Sequence, residues 1–134
     1  MSPVTTGYKQ MVALAEAEIV TLSVGEAEAA RSAGALLVDL RDVREVKAEG
    51  KIPGSYHVPR GMLEFWVDPD SPYHHDALTS AHRLVLYCNA GWRSALAAKT
   101  LQDMGLTNVS HIGGGLTAWK DEGGAIEGER AKGR

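Results

Sequence analysis

The 134-residue chain contains one cysteine, Cys88. A single cysteine excludes an intramolecular disulfide and fits a reducing compartment. No apolar run reaches 18 residues, so no membrane-spanning helix is expected. The first 20 residues lack a compact apolar stretch, because Glu16 and Glu18 interrupt it. A secretory signal is therefore not expected, and a cytoplasmic location is. An excess of basic charge is also missing: 14 Lys and Arg stand against 17 Asp and Glu, for a net charge of −3. That balance argues against nucleic acid or an anionic membrane as a partner. Internal repeats are absent, and so are the tight-turn dipeptides of a β-hairpin protein. What is present is 44% hydrophobic and 23% charged residues, the composition of a globular domain. The length suffices for a single core.

Residues 84–94 organise the rest. Leu84 to Tyr87 is a short apolar run that predicts a buried strand. From Ser94 to Met104 the spacing turns helical, with Ala97, Leu101 and Met104 on one face and Gly105 as the stop. Cys88 opens the six-residue loop between them, at the carboxyl end of a strand and facing a helix N-terminus. An open α/β sheet places its ligand crevice there. A thiol attacks as thiolate, which unpaired helix N–H groups and a nearby guanidinium favour. Gly91 lets the backbone curl inward into a nest of N–H groups, and Arg93 adds donors suited to an oxyanion. Cys88 and Arg93 are thus the candidate catalytic pair, with Asn89, Ala90, Gly91, Trp92 and Ser94 as the binding loop. A buried structural cysteine is the alternative that a lone Cys leaves open. The G-x-R-S that follows argues against it.

Along the chain, residues 5–18 predict an amphipathic helix covering one edge of the core. Ile19 to Leu22 predicts a strand, and Ser23-Val24-Gly25-Glu26 has capping-box form for a helix ending before Gly34. Ala35 to Leu40 reads as a strand buried on both faces. Asp39, near its end, is expected to hold a loop at the same sheet end as Cys88. Arg41 and Arg44 read as surface ion pairs with Asp42 or Glu45, or as contacts to an anionic substrate. Glu45 to Glu49 predicts one or two helical turns, Ile52 to Ser55 a turn, Tyr56 to Val58 a short strand, and Met62 to Trp66 a short helix. Phe65 and Trp66 belong to the core or to a pocket wall. Residues 68–76, with two prolines, predict an irregular solvated loop, and a flap over the site is a further possibility. His74, His75 and Asp76 are not expected to hold a metal, because adjacent histidines rarely point at one ion and no partner pair stands at ligand spacing. Asn108 to Ile112 predicts a last strand. Gly113, Gly114 and Gly115 form a turn into a helix containing Trp119, without the Lys-Ser/Thr of a phosphate loop. The alternation predicts an α/β fold with a parallel sheet covered on both faces.

Cys88-Asn89-Ala90-Gly91-Trp92-Arg93-Ser94 resembles the C-x-x-G-x-R-S active-site loop of the rhodanese (thiosulfate sulfurtransferase) family. Leu37 to Arg41 with Gly50 to Ser55 is similar to that family's amino-terminal signature, and Gly113 to Trp119 to its carboxyl-terminal one. Lys51 departs from the His that many members carry before Ile-Pro-Gly. The resemblance implies a single rhodanese-like domain over 19–123, with a central parallel sheet of about five strands. Residues 1–18 would be a helical extension packed on it, and 124–134 a flexible tail. It implies transfer of sulfane sulfur from thiosulfate or a related donor, through a persulfide on Cys88, to cyanide or to a small or protein thiol. No cofactor and no metal are implied. Arg60 becomes a candidate substrate-facing charge, because the segment after its strand lies near the mouth of family active sites. Asp39 and Arg41 are further candidates to face substrate or support the loop. Two alternatives stand beside this reading: a non-catalytic sulfur carrier or binding module, and a phosphatase or arsenate reductase. The phosphatase loop is one residue longer than the four between Cys88 and Arg93.

Overall fold

The computed structural model describes residues 1–128. Five short strands form one sheet: β1 (Val20–Leu22), β2 (Leu36–Asp39), β3 (Tyr56–His57), β4 (Leu84–Tyr87) and β5 (Val109–Ile112). Their spatial order is β1-β5-β4-β2-β3, and every neighbouring pair is parallel. The α/β architecture expected from the sequence is the one observed.

β4 shows why the sheet lies at the centre. All four of its residues are buried. Leu84 and Leu86 point to one face and pack with Val38, Leu63, Ala97 and Leu101. Val85 and Tyr87 point to the other and pack with Ala27, Leu116 and Trp119. Strand side chains alternate between faces, so an unbroken apolar run needs cover on both sides. Burying each such leucine contributes about 1.5–3 kcal/mol relative to exposure.

Among the described residues there are seven α-helices, and five of them cover the sheet. On the Leu84 face lie α4 (Leu63–Val67), α5 (Asp76–Ser80) and α6 (Trp92–Asp103). A 3-10 turn at Arg60–Met62 leads into α4. On the Val85 face lie α2 (Val24–Ser32) and α7 (Gly115–Asp121). Ser23 and Glu26 close the expected capping box on α2. Asp42 and Glu45 form a second one on α3 (Val43–Glu49). α1 (Tyr8–Glu16) buries Val12 and Ala15 and packs on α6. No helix among the described residues is long and apolar enough to cross a membrane.

Residues 68–75 form the expected irregular loop, with Pro69, Asp70, Pro72 and Tyr73 exposed, and the chain turns helical at Asp76. The end of the loop is nonetheless stitched down. The His75 ring stacks on Trp66 at 3.8 Å between centroids, and its Nδ1 lies 2.6 Å from the Tyr56 hydroxyl. Residues 124–127 follow the domain surface rather than leaving it: Trp119 Nε1 donates to the Ala125 carbonyl at 2.8 Å, and Glu127 bridges Lys51. The rest of the expected tail, 129–134, lies outside the described residues. Arg41 is fully buried and is not a surface ion pair, as the site geometry explains below.

The connections set the location of the crevice. From β2 the chain steps outward to β3, and from β4 it steps the opposite way to β5. Such a switch point leaves a gap above the carboxyl ends of the central strands. Cys88 is the first residue beyond β4.

Candidate active site

Gly91 takes φ 97°, the left-handed conformation that glycine adopts without strain, and caps α6. The turn folds the loop back over the cysteine. Gly91 N–H donates to Cys88 Sγ at 3.3 Å and Ser94 N–H donates to it at 3.4 Å. These are two of the N-terminal amides that a helix cannot satisfy internally. The sulfur therefore occupies the anion position of a 12-residue helix. Cys88 is 1% exposed, and Ser94 Oγ stands 3.7 Å from its sulfur.

The loop is held from behind by α7. Leu116 N–H donates to the Cys88 carbonyl at 2.8 Å, and Thr117 N–H donates to the Asn89 carbonyl at 3.1 Å. Gly115 takes φ 59°, and a Cβ there would collide with both carbonyl oxygens. The glycine run expected to serve packing thus supports the cysteine loop directly. Its sequence signal was visible, but its target was not.

Arg93 closes the loop from the front. Its Nη1 and Nη2 donate to Glu45 Oε2 and Oε1 at 2.9 and 3.0 Å. The same carboxylate accepts from Asn89 Nδ2 at 3.3 Å and from the Asp42 amide at 3.0 Å. Arg93 holds the Glu45 carboxyl below the usual carboxylate range against the opposing effect of burial. Glu45 in turn raises Arg93, with the charge of Cys88 adding to the effect. Glu45 was legible as the start of a helical turn and as an ion-pair partner for Arg41 or Arg44, but not as the loop's counter-ion, because 48 residues separate it from Arg93.

Of the expected site residues, Cys88, Asn89, Ala90, Gly91, Trp92, Arg93 and Ser94 form one constellation. Trp92 is half exposed and its ring lies 4.9 Å from that of Tyr8 on α1. Asp39 and Arg41 are both 0% exposed and bond chiefly to each other. Asp39 Oδ1 accepts from the Arg41 amide at 3.1 Å and Nε at 2.9 Å, and Oδ2 accepts from Nη2 at 2.8 Å. Tyr87 Oη also donates to Oδ2 at 2.9 Å, and Arg41 Nη2 donates to the Gly50 carbonyl at 2.7 Å. This buried pair ties the end of β2 to β4 immediately before Cys88. Arg60 pairs with Glu64 at 3.0 Å on its own helical turn.

The family model described as Rhodanese-like domain matches residues 23–122. The chain is 33% identical over 95 residues to the thiosulfate sulfurtransferase GlpE of Stutzerimonas stutzeri, covering 71% of this chain and 79% of that one. It is also 33% identical over 89 residues to the thiosulfate sulfurtransferase/rhodanese-like domain-containing protein 3 of Mus musculus, covering 63% of this chain. The chain spans 57% of the length of that mouse relative. Among solved structures, a protein of unknown function from Rhodopseudomonas palustris, described as a possible tyrosine phosphatase, aligns at 49% identity and a TM-score of 0.89. The match covers 95% of this chain and 98% of that one.

Proposed function

Because the chain belongs to the rhodanese-like domain family, we propose that it is a sulfurtransferase working through a persulfide on Cys88. The thiolate attacks the outer sulfur of thiosulfate or a related donor. The donor's sulfur–sulfur bond breaks, sulfite leaves with the electron pair, and Cys88 carries the transferred sulfur. A thiolate acceptor or cyanide then attacks that outer sulfur and releases the Cys88 thiolate. Two half-reactions through a covalent intermediate predict ping-pong kinetics. The observation that carries this reading is the pair of amide donors, Gly91 and Ser94, aimed at Sγ. Preorganised donors stabilise negative charge on sulfur without reorganisation at the moment of reaction. Arg93 orders the loop through Glu45 and keeps positive charge beside the sulfur. A reducing, cytoplasmic setting suits a chain with one cysteine.

Intact mass after brief exposure to excess thiosulfate tests the first half-reaction. A gain of one sulfur on the parent, reversed by cyanide and absent from Cys88→Ser, is the expected result. No gain on a folded protein would refute thiosulfate as donor. Persulfidation without turnover would favour a sulfur carrier over an enzyme.

A phosphatase reading is attached to the Rhodopseudomonas palustris structure by its description. Only Asn89, Ala90, Gly91 and Trp92 separate Cys88 from Arg93 here, and a ring that short suits one added sulfur better than a tetrahedral phosphate. The Arg93 guanidinium is also committed to Glu45 on two arms. Turnover of an aryl phosphate by the parent, lost in Cys88→Ser, would reverse this preference.

A further inference from the structure

The backbone amides do not account for the other buried polar groups beneath Cys88. His111 lies in β5, fully buried. Its Nδ1 is 2.9 Å from Ser94 Oγ, and its Nε2 is 3.1 Å from Thr21 Oγ1 on β1. Glu16 Oε2, on α1, is 3.5 Å from the same Nε2. Ser94 Oγ stands 3.7 Å from Cys88 Sγ and 3.4 Å from the Gly91 carbonyl. A line of polar groups thus runs from the sulfur through Ser94 and His111 to Thr21 and Glu16. Glu16, and Cys88 through Ser94, are the titratable groups that face His111 among the described residues.

The hydrogens on this line can be counted. Burial pushes the His111 pKa down to about 4, so the ring is neutral near pH 7 and carries one hydrogen. If that hydrogen sits on Nε2, Nδ1 must accept, and the Ser94 hydroxyl hydrogen is committed to it. Ser94 then turns a lone pair toward Cys88, which suits a thiol and repels a thiolate. If the hydrogen sits on Nδ1, it donates to Ser94 Oγ and frees the hydroxyl hydrogen, while Thr21 donates to Nε2. The freed hydrogen has two acceptors, the neutral Gly91 carbonyl at 3.4 Å and the sulfur at 3.7 Å, and a negatively charged sulfur is the stronger of the two. Glu16 pulls the other way, toward hydrogen on Nε2. However, its side chain is 41% exposed at 3.5 Å, whereas the sulfur lies in a residue 1% exposed. Charge–dipole interactions are weaker in the wet location than in the dry one, so the sulfur decides.

We propose that His111 is a positioning residue: holding its hydrogen on Nδ1, with Thr21 donating to Nε2, it turns the Ser94 hydroxyl onto the Cys88 sulfur whenever that sulfur is negatively charged. The thiolate then has three donors, two amides and one hydroxyl. This arrangement rests on the proposed function only in taking Cys88 as the nucleophile.

Two measurements test it, and neither uses sulfur transfer. Protein carrying nitrogen-15 histidine is brought to a pH at which iodoacetamide alkylation reports ionised Cys88. Proton–nitrogen correlations then read which ring nitrogen of His111 bears hydrogen. Nδ1 is the expected result, and Nε2 overturns the proposal. In the second, His111→Leu and His111→Asn are compared with the parent after thermal melts confirm folding. The asparagine amide restores an N–H near the position of Nδ1. Alkylation near neutral pH should slow about tenfold in His111→Leu and stay within about twofold of the parent in His111→Asn, the size of effect of one hydrogen bond to a charged group. Equal rates in His111→Leu and the parent would overturn the arrangement. If His111→Leu does not fold, the nitrogen measurement on the parent decides alone. A protein that passes both tests but takes no sulfur from any donor would defeat the sulfurtransferase reading and leave the His111 arrangement standing.

Discussion

Glu45 receives both arms of Arg93, at 2.9 and 3.0 Å, and joins the first turn of α3 to the loop that carries Cys88. Neither residue is deeply buried: the side chains are 41% exposed for Arg93 and 29% for Glu45. Their value therefore lies in geometry more than in stability, since exposed ion pairs contribute little and a two-armed pair fixes orientation.

Glu45→Ala should lower sulfur transfer on the order of tenfold by letting the loop drift, because small misplacements of reacting groups are costly. Its effect on unfolding should be only about 1 kcal/mol. A double-mutant cycle with Arg93→Ala checks the cause. Strong non-additivity in rate is expected, since the two residues act through one contact. Additive losses would mean that Arg93 acts on substrate independently of Glu45.

Gly115→Ala is the second prediction. The added methyl group meets the carbonyl oxygens of Cys88 and Asn89 in a backbone conformation that L residues rarely adopt. Strain and overpacking together should cost on the order of 2–4 kcal/mol. Chemical denaturation measures that loss. Transfer by the folded fraction should fall as well, since the displaced carbonyls belong to the cysteine loop. Full activity per folded molecule would show that the loop tolerates the shift.

The parallel sheet, the helices on both faces and the cysteine loop were legible because each rests on local pattern. Leu84 to Tyr87 has the apolar run of a two-sided strand, and Ser23 with Glu26 has capping-box spacing. What was not legible depends on contacts between distant residues. Arg41 has the composition of a surface ion pair, and only packing against Tyr87 and the Gly50 carbonyl makes it a buried one. His111 looks like an ordinary strand residue until β1, α1 and α6 surround it. Helix α5 was missed because the prolines and histidines ahead of it read as loop, while its anchor is the stacking of His75 on Trp66.

The Asp39–Arg41 pair supports a third prediction. Asp39→Ala leaves a fully buried guanidinium with only the half-exposed Glu49 carboxylate, 3.6 Å from Nη1, and it also strips the Tyr87 hydroxyl of an acceptor. Breaking one side of a buried pair typically costs about 3–5 kcal/mol. Replacing both partners, as in Asp39→Leu with Arg41→Met, should restore much of that loss, because no buried charge then remains. Urea midpoints of the single and double variants distinguish the two outcomes. A double variant as unstable as Asp39→Ala would mean that the hydrogen bonds to Gly50 and Tyr87 matter more than the charge.

His111 gives the fourth prediction, on acid stability. An unfolded chain protonates a histidine near pH 6.5, but folded His111 takes up its proton only near pH 4, because burial disfavours the charged ring. Between those values the unfolded state binds more protons, so stability falls as pH falls through 6.5 and levels off below about 4. The full loss is on the order of 3 kcal/mol. Glu45, whose carboxyl is held low by Arg93, contributes stability that disappears only at or below the ordinary carboxylate range. The interval from pH 6.5 to 5 therefore lies above the Glu45 contribution, and comparison with His111→Asn separates His111 from the other four histidines. Unfolding free energy measured across it should decline more steeply in the parent than in His111→Asn, which lacks this ring, and the difference between the two curves is the His111 contribution. Parallel curves for the two proteins would place the acid sensitivity elsewhere and remove the reason for treating His111 as neutral beneath the sulfur.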